Sequence, residues 1–352
     1  MSLSERLAAR TLELVDIASE SRGEQALAAH VLGVLCDGGA DARDAGDACV
    51  LAGATAHGER PLVLLAGHFD TVPAQGNRPG RRDADTVHGL GAADMKGALA
   101  VMIELALADA ARTIDLGFVF FAREELAVAE SALTPLLSRE PKLRGADLVV
   151  VMEPTDNELH AGCLGNVNAT WTFHGRSGHS ARPWLADNAI HRAGAAIAAL
   201  AAVEAVEHEV AGLRFTEVVS VTRVEGGIAA NVIPDVARAH VNMRYAPGTQ
   251  ASDAERRLRA VCEPHGTLEI TSNAPSAPVA LEVPLVRALI DAGGLAVAAK
   301  QAWTPVAEFA AAGVAAVNFG PGDPAHAHTR DERVRVDALV RSYQTLERLA
   351  CA

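Results

Sequence analysis

Carboxylates and imidazoles recur along this chain in one setting, just after a short apolar run or at a helix start. His68 and Asp70 follow the run Leu62-Val-Leu-Leu-Ala66, and Asp94 stands in Gly91-Ala-Ala-Asp-Met-Lys-Gly97. The pair Glu124-Glu125 follows Ile114 to Ala122, Glu153 follows Leu148 to Met152, and His326 and His328 lie beyond Val314 to Phe319. One such residue at a strand end is an ordinary solvated turn residue. Five sets at successive strand ends are different, because carboxylates and imidazoles gathered at one sheet edge repel or stay unpaired unless a cation collects them. Nitrogen and oxygen donors without thiolate suit Zn²⁺, with Co²⁺ or Mn²⁺ as substitutes. Zinc lowers the pKa of a bound water towards ~7, so hydrolysis is the chemistry such a set would support.

Those residues need elements to hold them. Leu7, Thr11, Leu14 and Ala18 share one helical face, and Leu27, Val31 and Val34 repeat the pattern until Gly38-Gly39 stops it. Leu62–Ala66, Ile114–Ala122 and Leu148–Met152 read as buried strands; Met95–Asp109 and Leu126–Ser138 read as helices. Strands alternating with helices predict an α/β sheet with parallel pairing, whose carboxyl ends carry the polar residues. The character changes near Gly165. Thr170–His174, Glu217–Val224, Val236–Tyr245 and Thr267–Ser272 read as strands, and Ala186–Val203 and Ser252–Cys262 as helices. That βαββαβ order predicts an α+β module with helices on one face of a mainly antiparallel sheet. The run Glu204–Glu209 reads as a solvated helix end. Pro275 and Pro278 mark a boundary, after which helix and strand alternate again through Val314–Phe319 to a closing helix near Val336–Leu349. The expected organisation is therefore a domain of residues 1–165 and 281–352 interrupted by an insertion, 166–280.

Composition narrows the partners. The 31 Lys and Arg against 44 Asp and Glu give a net charge of −13, which argues against nucleic acid or an anionic membrane. Aromatics at 4% leave little for base stacking. No apolar run approaches the ~18 residues of a membrane span. Met1-Ser-Leu-Ser-Glu-Arg lacks the pattern of a signal peptide. The five cysteines are scattered without a Cys-x-x-Cys, so a reduced, cytoplasmic protein is expected. Gly89-Leu-Gly91 has no preceding apolar strand or third spaced glycine and reads as a turn before a helix. Neither Gly-x-Ser-x-Gly nor His-Glu-x-x-His occurs. Cys163 has no base beside it in sequence and reads as structural.

The local spellings go further. Gly67-His-Phe-Asp-Thr-Val-Pro73, Gly91-Ala-Ala-Asp-Met-Lys-Gly97, Arg123-Glu-Glu125, Met152-Glu-Pro-Thr155 and Ala327-His-Thr-Arg-Asp-Glu332 occur in that order. This series resembles the aminoacylase/carboxypeptidase family of di-zinc amidohydrolases. Gly175-Arg-Ser-Gly-His-Ser-Ala-Arg-Pro-Trp184, Asn231-Val-Ile-Pro-Asp235 and Asn318-Phe-Gly-Pro-Gly-Asp-Pro324 extend the resemblance over almost the whole chain.

The resemblance implies a zinc-hydrolase domain with a mixed, largely parallel sheet flanked by helices, and an inserted ferredoxin-like α+β dimerisation (lid) domain. It implies two Zn²⁺ per chain, one on His68 and Glu153, the other on Glu125 and His328, with Asp94 bridging. His328 rather than His326 is implied because the family's ligand stands four residues before a glutamate, here Glu332. Glu124 would be the general acid/base, and Asp70 would fix the tautomer of His68 through its far ring nitrogen. In a homodimer, His179 would reach the neighbouring subunit's site and donate to the developing oxyanion. Arg244, Asn231 and Thr304 would contact substrate. The implied reaction is hydrolysis of an N-acyl amide, with N-succinyl-LL-2,6-diaminopimelate as the leading substrate and another N-acyl amino acid or a dipeptide as the alternative. A catalytically silent binding protein is disfavoured, since all five ligands and Glu124 are present. One departure stands out: Trp303-Thr-Pro-Val-Ala-Glu-Phe309 carries Glu308 where the family has an arginine, and Pro305 where Asp or Ser is usual. The expectation is that Arg244 anchors one substrate carboxylate while Glu308 loosens the hold on another or selects an amine.

Overall fold

A computed structural model describes residues 1–351. It separates into two compact units: Met1–Gly162 with Ala280–Ala298 and the chain from Thr304 onward, and Cys163–Val279 with Ala299–Trp303.

The apolar runs form the middle of the first unit's sheet. All seven residues of Leu62–His68 are buried, and so are all four of Leu148–Val151. Truncating one such buried leucine to alanine costs about 2–5 kcal/mol. The eight strands run in the order Ala42–Gly46, Cys49–Gly53, Asp115–Phe121, Leu62–His68, Leu148–Val151, Ala316–Asn318, Leu159–Ala161, Val297–Ala299. Pairing is parallel from Asp115–Phe121 through Ala316–Asn318 and antiparallel at the pairs on either side that close the sheet. The parallel strands are apolar throughout because both their faces are covered. Helices Leu3–Asp16, Gly97–Ala106, Pro284–Gly293 and Val336–Cys351 pack on one another. The first is closed by a capping box in which Ser2 and Glu5 satisfy each other's backbone N–H. No helix among the described residues is long and apolar enough to cross a membrane.

The second unit is a five-stranded antiparallel sheet in the order Val206–Val210, Leu213–Gly226, Val236–Tyr245, Gly165–His174, Thr267–Ala274. Gly165–His174 alternates strictly, putting Val167, Ala169, Trp171 and Phe173 into one core with residues of helices Ala189–Ala201 and Ala251–Cys262. Asn166, Asn168, Thr170 and Thr172 face the other way.

Three expectations need correction. Glu204–Glu209 is not a helix end: Val206–Val210 is a strand, in a hairpin whose turn residues Ala211 and Gly212 have φ of 50° and 78°. The Val-Glu-His-Glu-Val alternation and the following Ala-Gly carried that signal. Leu126–Ser138 is not one helix but a short turn, Val128–Glu130, and a helix, Leu133–Arg139. Finally, Ala299–Trp303 joins the second unit, beyond the expected boundary at 280. Leu164 N–H donates to Ala302 O at 3.2 Å, Gln301 bonds Thr216 N–H and Arg214 O, and Trp303 Nε1 donates to Pro275 O. Bonds between such distant positions leave no local trace in sequence.

Candidate metal centre

Strand register gathers the candidate residues. His68 ends its strand opposite Phe121, and Ala66 lies opposite Val151. The chain therefore leaves the sheet towards Glu124-Glu125 and Glu153 at the same edge as His68. Val151 in turn is opposite Asn318, after which the chain loops to His328, held at φ 61°. Asp94 comes from the turn before Gly97–Ala106 and leaves helical geometry, at φ −126° and ψ 92°.

Two groups result: His68, Asp94 and Glu153, and Asp94, Glu125 and His328, the donor atoms of each lying within 4.8 Å of one another. Asp94 uses a different oxygen in each. Its Oδ1 is 3.2 Å from His68 Nε2, and its Oδ2 is 3.5 Å from His328 Nε2. His68 Nε2 is 3.9 Å from Glu153 Oε1, and His328 Nε2 is 3.0 Å from Glu125 Oε1. His326 is outside both groups and faces Asp323.

The surroundings orient these donors. His68 Nδ1 is 2.9 Å from the backbone carbonyl of Asp70 and 3.5 Å from its carboxylate. A carbonyl only accepts, so Nδ1 carries a proton and Nε2 is left to ligate. The tautomer role given to the Asp70 side chain thus falls chiefly to its backbone. The Asp70 carboxylate instead receives Glu124 N–H at 2.9 Å, Glu125 N–H at 3.1 Å and Ser21 Oγ–H at 2.9 Å. It fixes the turn that carries the glutamate pair. Glu332, 2% exposed, does the same for Asp94: it receives the N–H groups of Gly91, Ala93 and Asp94 at 2.9–3.1 Å. Gly91 opens that turn at φ 79°, and a Cβ there would lie 2.8 Å from Thr71 Cγ2. Neither Glu332 nor Ser21 carries a local sequence signal for this role, because both act through folded contacts across the chain.

The electrostatics of the site are those of charges awaiting a counter-ion. Burial disfavours charge on Asp94, but hydrogen bonds from His328 and His68 hold it well below the usual carboxylate range. Burial also works against protonated His68, yet Asp70 and Asp94 outweigh it and raise its pKa. Hydrogen bonds to Asp94 and Glu125 push His328 up to about 11. The imidazoles act as counter-charges that a divalent cation would replace, and the all-nitrogen-and-oxygen donor set fits such a cation. Glu124 differs: burial first, and Glu153 beside it next, raise its pKa, and no side chain among the described residues bonds its carboxylate.

The remaining expected residues belong to both units. Thr304 belongs to the first unit and is 2% exposed. His179, Asn231 and Arg244 belong to the second unit. His179 is exposed on the strand Gly178–His179, paired with Val232–Ile233; its Nδ1 accepts from Ala181 N–H at 3.0 Å, which leaves the proton of the neutral ring on Nε2. The Asn231 side chain is exposed and its carbonyl receives Ser180 N–H. Arg244 is half-buried, with Nε donating to Asn242 Oδ1 at 3.0 Å. The expectation for Glu308 is overturned. Its side chain is buried and receives Ser131 Oγ–H at 3.1 Å, Thr134 Oγ1–H at 2.6 Å and Thr134 N–H at 3.1 Å. These bonds tie down the start of helix Leu133–Arg139; they explain why Leu126–Ser138 breaks in two and leave Glu308 no part in selecting a substrate group.

Comparison with known proteins agrees with this arrangement. Residues 64–352 match the profile of Peptidase family M20/M25/M40. A Mycobacterium tuberculosis protein with a provisional succinyl-diaminopimelate desuccinylase (DapE) name is 40% identical over 339 residues, 96% of each chain. The succinyl-diaminopimelate desuccinylase of Corynebacterium glutamicum is 37% identical over 293 residues, 81% of this chain and 79% of that one. The M20 family metallo-carboxypeptidase Sso-CP2 of Sulfolobus solfataricus superposes with a TM-score of 0.80 at 15% identity, covering 99% of this chain and 98% of that one, and so shares the fold. From its paired ligand groups to its end-to-end likeness to these proteins, the chain belongs to the M20/M25/M40 family of metal-dependent hydrolases.

Proposed function

We propose that this chain hydrolyses the amide of N-succinyl-LL-2,6-diaminopimelate, releasing succinate and LL-2,6-diaminopimelate, with two Zn²⁺ as its metals. The reaction class rests on one observation: two ligand groups share Asp94, and a glutamate that belongs to neither, Glu124, stands beside them with its carboxylate unbonded. The substrate rests on the 40% and 37% identity to the two desuccinylases.

His68, Asp94 and Glu153 would hold one zinc and Asp94, Glu125 and His328 the other; bound zinc supplies an activated water and a Lewis acid for the amide carbonyl. Glu124, its pKa raised, takes the water's proton and passes it to the leaving amine, a role worth roughly 10²–10⁴-fold. Asp70 keeps Glu124 in place through its backbone N–H. Arg244 has no carboxylate partner among the described residues, and burial lowers its pKa. A half-buried guanidinium without a counter-charge is costly unless an anion arrives, which suits the carboxylates of this substrate.

The working form is a cytoplasmic homodimer built through the second unit. The strand Val206–Val210 pairs only with the first residues of Leu213–Gly226, so from Val218 onward that strand is paired on one side alone. Val218 and Val224 are 40% and 52% exposed along it. A second copy along that edge would continue the sheet and cover it. His179 then acts in the partner's site, its Nε2–H donating to the oxyanion. Mixing His179→Ala with Glu124→Gln chains should restore part of the activity in hybrid dimers; hybrids that form but stay inactive count against the trans role.

The substrate is tested by assaying the zinc-loaded enzyme on a panel of N-acyl substrates. Highest kcat/KM on N-succinyl-LL-2,6-diaminopimelate is the expected result. Higher kcat/KM on an N-acetyl amino acid or a dipeptide would overturn the substrate assignment and leave the reaction class standing.

A further inference from the structure

Arg244 stands on an unusual support. In the register of the second unit's sheet, Asn242 lies opposite Asn168 and Arg244 opposite Asn166, and Asn168 is also opposite Ser272. All five lie on the face away from the helices, since the alternate residues Val167, Ala169, Val241 and Tyr245 belong to the core. Asn242 Nδ2 donates to Asn166 Oδ1 at 2.6 Å and to Asn168 Oδ1 at 2.8 Å, with Val167 O at 3.4 Å. Asn168 Nδ2 donates onward to Ser272 Oγ at 3.0 Å. Val167 O can only accept, which fixes which end of the Asn242 amide is nitrogen. Its oxygen is thereby turned to Arg244 Nε, at 3.0 Å. Among the described residues no hydrogen bond or carboxylate reaches either Nη of Arg244, and the ionisable neighbour that acts on it is the Cys163 thiol.

We propose that Asn242, locked by Asn166 and Asn168, is a positioning residue that aims the guanidinium fork of Arg244 at a substrate carboxylate while withholding counter-charge from it. The proposal rests on the reading of Arg244 as the carboxylate holder. A guanidinium on a long side chain loses its aim unless one nitrogen is tied, and a bidentate fork is directional. An aspartate at 242 would tie Nε equally well but would neutralise the charge the substrate needs. A neutral amide with both donors already committed holds the arginine and leaves its charge available.

The test uses the full-length, zinc-loaded protein and reads kcat and KM separately, with succinate as a competitive probe. Arg244→Ala should raise KM at least ~30-fold, the scale of a charged hydrogen bond. Asn242→Asp, nearly isosteric, should raise KM and the inhibition constant of succinate by about 10-fold or more while kcat changes little, since Asn166 and Asn168 can turn to donate to the new carboxylate. Asn242→Ala, which loses only the tether, should give a smaller rise in KM and carries the test should the aspartate variant fold poorly. In the Arg244→Ala background, neither Asn242 change should raise KM further. A silent Arg244→Ala overturns the reading of Arg244, and the inference with it. A damaging Arg244→Ala beside Asn242 variants with wild-type KM overturns the positioning role alone. So does an Asn242 effect that persists without Arg244, or one that falls on kcat and melting temperature instead of KM.

Discussion

Replacing Asp70 with asparagine separates two accounts of that residue. Its carboxylate receives three hydrogen bonds, from Glu124 N–H at 2.9 Å, Glu125 N–H at 3.1 Å and Ser21 Oγ–H at 2.9 Å, and lies 3.5 Å from His68 Nδ1. Asparagine has one acceptor oxygen. In its better rotamer that oxygen replaces Oδ2 and keeps Glu125 and Ser21, while its NH₂ faces the N–H of Glu124. One charge-assisted bond worth about 1.5–3 kcal/mol is lost at the backbone that carries the general base. Felt in the transition state, that loss lowers kcat roughly 10- to 100-fold, at about 1.4 kcal/mol per decade. Metal content should stay close to wild type, because the Asp70 carbonyl still sets the His68 tautomer. Steady-state kinetics at saturating zinc, with elemental analysis of the same samples, reads both quantities. Ser21→Ala touches Oδ2 but not His68, and should lower kcat several-fold with metal unchanged. The reasoning fails if Asp70→Asn loses metal while kcat per bound pair is normal, for the side chain would then act through His68.

Four further outcomes follow from the same contacts. Zinc titration should saturate at two ions per chain, and Asp94→Ala should weaken both sites together because each group contains it; a firm ceiling of one ion would refute the shared carboxylate. Glu124→Gln should keep its metal while kcat falls by roughly 10²–10⁴, whereas Glu125→Gln should lose metal as well; matching behaviour would refute the division between them. Glu332→Gln should lower metal affinity about 10- to 100-fold in chelator competition by loosening the Asp94 turn; unchanged affinity would remove that support. Glu308→Arg should bury an unpaired charge among Ser131 and Thr134 and cost at least ~3 kcal/mol, a melting temperature lower by roughly 6–12 °C, with no change in substrate preference; an altered preference in a stable variant would return Glu308 to the binding site.

Much of this was legible in the sequence, for identifiable reasons. The buried strands announce themselves as unbroken apolar runs, and parallel pairing brings their carboxyl ends to one edge, so His68, Glu124-Glu125 and Glu153 could be placed together. Asp94 and His328 were harder. One stands in a turn without helical geometry and the other at a positive φ; their setting marked both as candidates, but only the family resemblance chose His328 over His326 and made Asp94 the bridge. What stayed hidden was support across long sequence distances: Glu332 beneath Asp94, Ser21 behind Asp70, Ser131 and Thr134 around Glu308. Glu308 misled because a substitution read in isolation looks like altered specificity, when its partners lie on a helix start some 175 residues away.

The passage of Ala299–Trp303 into the second unit has a practical meaning. The chain crosses between the units four times, near residues 162, 279, 298 and 303. Any relative movement of the units therefore has to be accommodated in four covalent crossings at once. Excision is affected too. A fragment spanning 163–279 would lack the segment that satisfies Leu164, Thr216 and Pro275, and the complementary shell, rejoined across the gap, would expose Gln301 and Trp303 without their partners. An inactive deletion of the insertion would then report a frayed seam as readily as a missing subunit contact. The clean surgery carries residues 299–303 with the insertion, or replaces both together.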